Sequence, residues 1–260
     1  MKIPLWENNI PYYSEEYGQA PELEPHIIEG AKACLLIIPG GGYHFVAYEH
    51  EGVEIAEEFG KRGISSFILR YRVAPYAHPV QLTDAQRALR YIRYMSKDYG
   101  YDANKIAVIG FSAGGHLTSM LATLFDDGLT EGDEIDRISS RPDAAILSYA
   151  VTNLSDYPHQ GTAINLLGAD ASYELRSRYS SEKNVREDTP PMFIWHTEYD
   201  TVVSVEHALG MASALMKKKI PTELHIFPMG DHGLGTSVAI PYNAKWVDCA
   251  EKFMRKFLSF

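Results

Sequence analysis

The chain has 260 residues, of which 45% are hydrophobic and 22% charged. That is the composition of a globular chain and excludes a disordered or fibrous one. Twenty-four basic against 34 acidic residues leave a formal charge of −10, which argues against a nucleic-acid backbone or an anionic membrane surface as partner.

The first 30 residues are rich in Pro, Tyr and Glu and lack the apolar core of a secretory signal. They predict irregular or edge-strand structure and a cytoplasmic protein. A rhythm of short apolar runs then begins at residues 34–38 and continues at 65–69, 106–109, 145–148, 193–196 and 223–227. Runs of this kind predict parallel strands buried on both faces. Between them lie helical patterns. Residues 82–99 carry a Thr83/Gln86 capping box and stop at Gly100; residues 204–219 open on Ser204 and close on three lysines; residues 246–258 make a last helix. No apolar run is long enough to span a bilayer. Cys34 in a strand and Cys249 in the last helix read as buried free thiols, not a disulfide framework. The alternation predicts one α/β domain over residues 1–260, with a mostly parallel sheet and helices on both faces. Residues 126–141 and 155–188 break the rhythm and are expected to form a small cap over the site.

Ligands of such sheets sit at the carboxyl ends of the strands. After residues 34–38 comes Pro39-Gly40-Gly41-Gly42-Tyr43, where the glycines leave backbone amides free to face a substrate oxygen. Neither the phosphate-loop nor the dinucleotide glycine pattern is present. After residues 106–109 comes Gly110-Phe111-Ser112-Ala113-Gly114, a G-x-S-x-G match between a strand and a helix. Such a tight turn strains the serine backbone and lifts its hydroxyl clear of the sheet. A serine hydroxyl is a weak nucleophile without a base, and the base needs an orienting acid. Asp200 follows the run 193–196 and His232 the run 223–227, in the order serine, acid, histidine. Glu198 and Asp231 are alternative carboxylates. His116 lies inside the helix behind the serine, and His196 and His225 lie in strands, where structural roles suit them. His26, His50, His78, His159 and His207 follow no strand end. The Ala113 amide, next to the serine, would complete an oxyanion site with the glycine run.

These segments resemble the α/β-hydrolase esterases, and within them the group containing bacterial acetyl-xylan and related carbohydrate esterases. The resemblance rests on PGGGY at residues 39–43, LRYRVAP at 69–75, KIAVIGFSAGGHL at 105–117, RPDAAILSY at 141–149, TPPMFIWHTEYDTVV at 189–203 and ELHIFPMGDHGL at 223–234. It implies an α/β-hydrolase fold, a Ser112–Asp200–His232 triad and oxyanion donors on Gly41, Gly42 and Ala113. It also implies hydrolysis of short-chain acyl esters, often acetyl groups on sugars or oligosaccharides, without metal or organic cofactor. The chain has Pro39 where the hormone-sensitive-lipase-like branch has His, and Ser204 where relatives often have Pro. Tyr43, His44 and Tyr157 are candidate substrate contacts. The expected partner is a small-molecule acyl ester, with no nucleic acid and no membrane; homo-oligomer formation is left open. A lipase or peptidase could use the same triad, since fold and triad do not set the leaving group. A non-catalytic binding protein would need a broken triad.

Overall fold

The computed structural model describes residues 2–260. Among these, eight strands form one sheet: β1 (Ile3–Pro4), β2 (Glu22–His26), β3 (Cys34–Ile38), β4 (Ser65–Arg70), β5 (Ile106–Phe111), β6 (Ala144–Ser148), β7 (Met192–Thr197) and β8 (Thr222–Phe227). Their order across the sheet is β1-β2-β4-β3-β5-β6-β7-β8. β1 and β2 pair antiparallel at one edge, and every pairing from β4 to β8 is parallel. The first 30 residues thus hold β1 and β2, at that side of the sheet, with irregular chain between them. From β3 the chain moves outward to β4, then crosses back to β5 on the other side of β3. The order reverses between β3 and β5, and it is at the strand carboxyl ends beside such a switch point that sheets of this kind bind their ligands.

Eight α-helices among the described residues connect or flank the strands: α1 (Glu54–Gly60), α2 (Val80–Tyr94), α3 (Ser96–Tyr99), α4 (Ser112–Thr123), α5 (Gln160–Leu167), α6 (Tyr173–Arg178), α7 (Glu206–Lys217) and α8 (Pro241–Leu258). Strand side chains alternate between the two faces of the sheet. Leu36, Ile38, Val108 and Leu147 pack with Leu89 of α2, Leu117 of α4 and Met211 of α7. Leu35, Ile37, Ile109 and Ile146 pack with Phe59 of α1 and with Trp246 and Phe253 of α8. Burial on both faces explains why these strands are apolar at consecutive positions.

Helix boundaries differ from the expected ones. The pattern over residues 82–99 divides at Met95 into α2 and α3. Pro79 precedes the first turn of α2, and Thr83 lies within the helix with its hydroxyl donating to the Pro79 carbonyl at 3.1 Å. Gln86 reaches across to the Leu124 carbonyl. The capping box is therefore not used. α8 starts at Pro241, five residues before Trp246, because proline suits a first helical position where no N–H is needed. Ser204 accepts from the Glu206 amide at 3.3 Å from two residues outside α7.

The expectation for residues 126–141 is wrong. α4 starts at Ser112, at the carboxyl end of β5, and runs back along the sheet, so the segment after it lies at the amino-terminal ends of the strands and leads into the start of β6. There Asp126, Asp133 and Asp136 bind Arg87 and Arg90 of α2. Residues 155–188 do leave the carboxyl end of β6. They hold α5 and α6, and Asn165 of α5 donates to the Gly42 carbonyl at 2.8 Å.

Three histidines are held uncharged by the fold. Burial pushes His78 and His116 down to about 4, and His207 to about 3, from an ordinary 6.5. Between those values and 6.5 the unfolded chain binds protons that the native chain refuses, so stability rises with pH across that window. Asp84, raised by burial to about 6, works against them below that pH, but three imidazoles outweigh one carboxyl, so the thermal midpoint should fall as pH drops from 7 to 5, with net proton uptake on unfolding. A flat midpoint over that range would refute it.

Candidate active site

β5 delivers Ser112 at φ +52, a left-handed backbone that non-glycine residues adopt at a cost. The turn is tight because the start of α4 presses against the end of β3. A Cβ on Gly114 would collide with the Ile38 carbonyl oxygen. Ser112 itself is 8% exposed.

The Ser112 hydroxyl lies 2.8 Å from His232 Nε2, and His232 Nδ1 lies 2.7 Å from Asp200 Oδ2. In the tautomer this arrangement favours, Nδ1–H donates to Asp200 and Nε2 accepts from Ser112. The loop after β7 folds back on Asp200: the amides of Val202 and Val203 donate to its Oδ1 at 2.9 and 2.8 Å. Burial alone would raise this carboxyl. Hydrogen bonds from His196 and His232 and from the Val203 amide outweigh it and hold the group well below the usual carboxylate range.

The competing carboxylates are placed otherwise. Glu198 is exposed. Asp231 accepts from the backbone amides of His232 and Thr201 at 2.8 and 2.9 Å, so it pins the two loops together instead of facing the imidazole. His196 takes the structural role expected of a strand histidine: its Nε2 donates to the Val203 carbonyl at 2.8 Å and lies 3.3 Å from Asp200 Oδ2. That it would steady Asp200 was not legible, because the contact needs the β7 loop to double back.

The glycine run follows β3, whose Ile38 pairs with Gly110 of β5, so the run lies beside Ser112. Gly41 sits at φ +118, where an L side chain is strained and would strike the Phe45 carbonyl. Among the described residues no acceptor takes the Gly41 or Gly42 amide. The Ala113 amide is in the first turn of α4, where N–H groups have no intrahelical acceptor and the helix dipole is positive. These donors suit an oxygen that becomes negative next to Ser112.

Tyr43 is a correction. Its side chain is fully buried, and its hydroxyl donates to His116 Nδ1 at 2.9 Å while His116 Nε2–H donates to the Tyr179 carbonyl at 2.8 Å. A side chain with no exposed surface cannot touch substrate, so Tyr43 is core. His44 is exposed. Tyr157 is half-buried, donates to Glu182 at 2.6 Å and lines a cavity of about 400 Å³ with His159, Glu198, Asp200 and Thr201. His159, which follows no strand end, reaches this cavity because residues 155–188 carry it there. A cavity of about 440 Å³ lined by Trp6, Arg87, Tyr91 and Asp133 contains no triad residue, so volume does not locate the chemistry.

Glu223, His225 and Cys249 place potential metal-ligating atoms within 4.8 Å of one another, but His225 and Glu223 hydrogen-bond each other at 2.8 Å and none belongs to the triad. Cys34 and Cys249 are both free thiols, and Cys249 is only half-buried. No helix among the described residues is long and apolar enough to cross a membrane.

Residues 24–215 match the BD-FAE family. An endo-1,4-beta-xylanase B from Butyrivibrio fibrisolvens is 41% identical over 88% of this chain and 37% of its own length. An acetylxylan esterase from Xylanibacter ruminicola is 30% identical over 79% of this chain and 42% of its own. The chain thus spans less than half the length of these curated relatives. A solved acetyl ester-xyloside bifunctional hydrolase from Caldicellulosiruptor lactoaceticus superposes with a TM-score of 0.96 at 42% identity, covering 98% of this chain and 96% of that one.

Proposed function

We propose, from the premise that the chain belongs to the BD-FAE family of α/β-hydrolase esterases, that it is a serine carboxylesterase removing acetyl groups from sugars or oligosaccharides. The observation that carries the chemistry is the continuous path from Ser112 Oγ through His232 to Asp200, at 2.8 and 2.7 Å, on a serine held at φ +52. The acetyl preference rests on the relatives, two of which are named for acetyl esters.

The proton of Ser112 passes to His232 Nε2 as Oγ attacks the acyl carbonyl. The new C–O bond pushes the carbonyl electrons onto oxygen, where the amides of Gly41, Gly42 and Ala113 receive the charge. Asp200 holds Nδ1–H and stabilises the imidazolium. His232 returns the proton to the departing alcohol, leaving an acyl-enzyme on Ser112. Water then attacks with His232 again as base, and carboxylic acid and free serine result.

A series of p-nitrophenyl esters, run beside acetylated xylo-oligosaccharides, tests the substrate reading. Acetyl and propionyl esters should be hydrolysed faster than octanoyl or longer ones, and acetate should be released from the oligosaccharides. A rate climbing steadily with acyl length would favour a lipase using the same residues.

A further inference from the structure

Glu51 is a buried carboxylate that the reaction above does not use. It lies in the turn leading into α1 and is 2% exposed. Taking a carboxylate out of water is costly unless its oxygens are satisfied. Here Oε2 accepts from the Gly40 amide at 2.7 Å and Oε1 from the Tyr149 hydroxyl at 2.8 Å. The same hydroxyl accepts from the Gly235 amide at 2.9 Å.

The two ends of this chain of hydrogen bonds are the two loops the chemistry needs. Gly40 immediately precedes Gly41 and Gly42 and packs on the nucleophile: a Cβ there would lie 3.0 Å from Ser112 Cβ. Gly235 follows His232 by three residues on the same loop. Tyr149 stands between them at the end of β6, fully buried, with its ring edge-on to the His232 imidazole at 5.0 Å. The groups near the carboxylate that can carry positive charge are His50, with Nε2 3.7 Å from Oε1, and His232 beyond the tyrosine. A hydrophobic side chain would fill the space without the desolvation cost but would leave both loops without this tie.

We propose that Glu51 is a positioning residue which, through Tyr149, holds the oxyanion loop and the loop of His232 in one fixed arrangement around Ser112. Small displacements of reacting groups cost far more rate than binding, because the aligned geometry is what lowers the barrier. The proposal rests on the esterase reading.

Tyr149→Phe deletes only the hydroxyl and keeps the ring against His232. Glu51→Gln keeps the shape but turns one acceptor into a donor. The kcat for p-nitrophenyl acetate, per serine counted by stoichiometric fluorophosphonate labelling, should fall about tenfold or more in each, with KM within about threefold. Because both act through one connection, the double variant should be no slower than the slower single one. Counting labelled serines removes any effect of partial unfolding, and Tyr149→Phe decides alone should Glu51→Gln fail to fold. Unchanged kcat per labelled serine, or losses that multiply in the double variant, would overturn the proposal. Failure of the esterase reading looks different: the unmodified protein would neither release p-nitrophenol nor take up the label.

Discussion

Ser112→Ala is expected to lower kcat for p-nitrophenyl acetate by at least about 10⁴-fold, since triad members act as a unit and loss of the nucleophile removes the covalent path entirely. The hydroxyl is the only group lost, and its hydrogen bond in the resting site is to His232 at 2.8 Å. The fold should survive, because alanine enters the same left-handed turn and both core layers are untouched. Purified Ser112→Ala with a native circular dichroism spectrum but near wild-type esterase activity would refute the assignment of the nucleophile.

Asp200→Asn should be nearly as damaging, by about 10⁴-fold in kcat near neutral pH. The physical reason lies in the direction of the hydrogen bonds. The carboxamide oxygen of the variant can still accept from the Val202 and Val203 amides. Its amide nitrogen then faces His232 Nδ1 as a donor, which places the ring proton on Nε2, where it blocks transfer from Ser112. The negative charge that would stabilise the imidazolium is also gone. Glu198→Gln should stay within about threefold of the parent, because this exposed carboxylate lines the neighbouring cavity but is not hydrogen-bonded to His232, whose ring partners are Asp200 and Ser112. Rates measured side by side separate the two acids; the reverse pattern would move the acid role to Glu198 and leave the serine chemistry standing.

The strands were legible because a parallel strand buried on both faces is apolar at nearly every position. The nucleophile was legible because a G-x-S-x-G turn is local: its glycines, its strand and its helix all lie within a few residues of Ser112. Helix starts were less so: Pro79 precedes α2 where Thr83 was read as the cap, and Pro241 opens α8 five residues before the expected start. The misplacement of residues 126–141 and of Tyr43 has a different origin. The first depends on the direction in which α4 leaves the sheet. The second depends on His116, 73 residues away, which draws the tyrosine hydroxyl into the core. Glu51 and Tyr149, 98 residues apart, carry no local signature of their pairing.

The amino-acid sequence by itself determined the alternation of strands and helices, the serine on its turn, the glycine run, and an acid and a histidine in the order such chemistry requires. These are properties of neighbouring residues and of chain order, and each follows from short-range backbone preference or from hydrophobic periodicity. Asp200 was already the acid read from its place after β7 and from the family resemblance; what holds it, and not Glu198 or Asp231, against the imidazole was decided only by the tertiary structure. Glu198, Asp200 and Asp231 are similar in chemistry and close in sequence to the loops in question. Their roles diverge because the β7 loop turns Asp200 inward onto two backbone amides and His232, while Asp231 is spent on the backbone that joins the two loops. That set of contacts depends on how two loops from adjacent strands fold against each other in space, and no spacing along the chain encodes it.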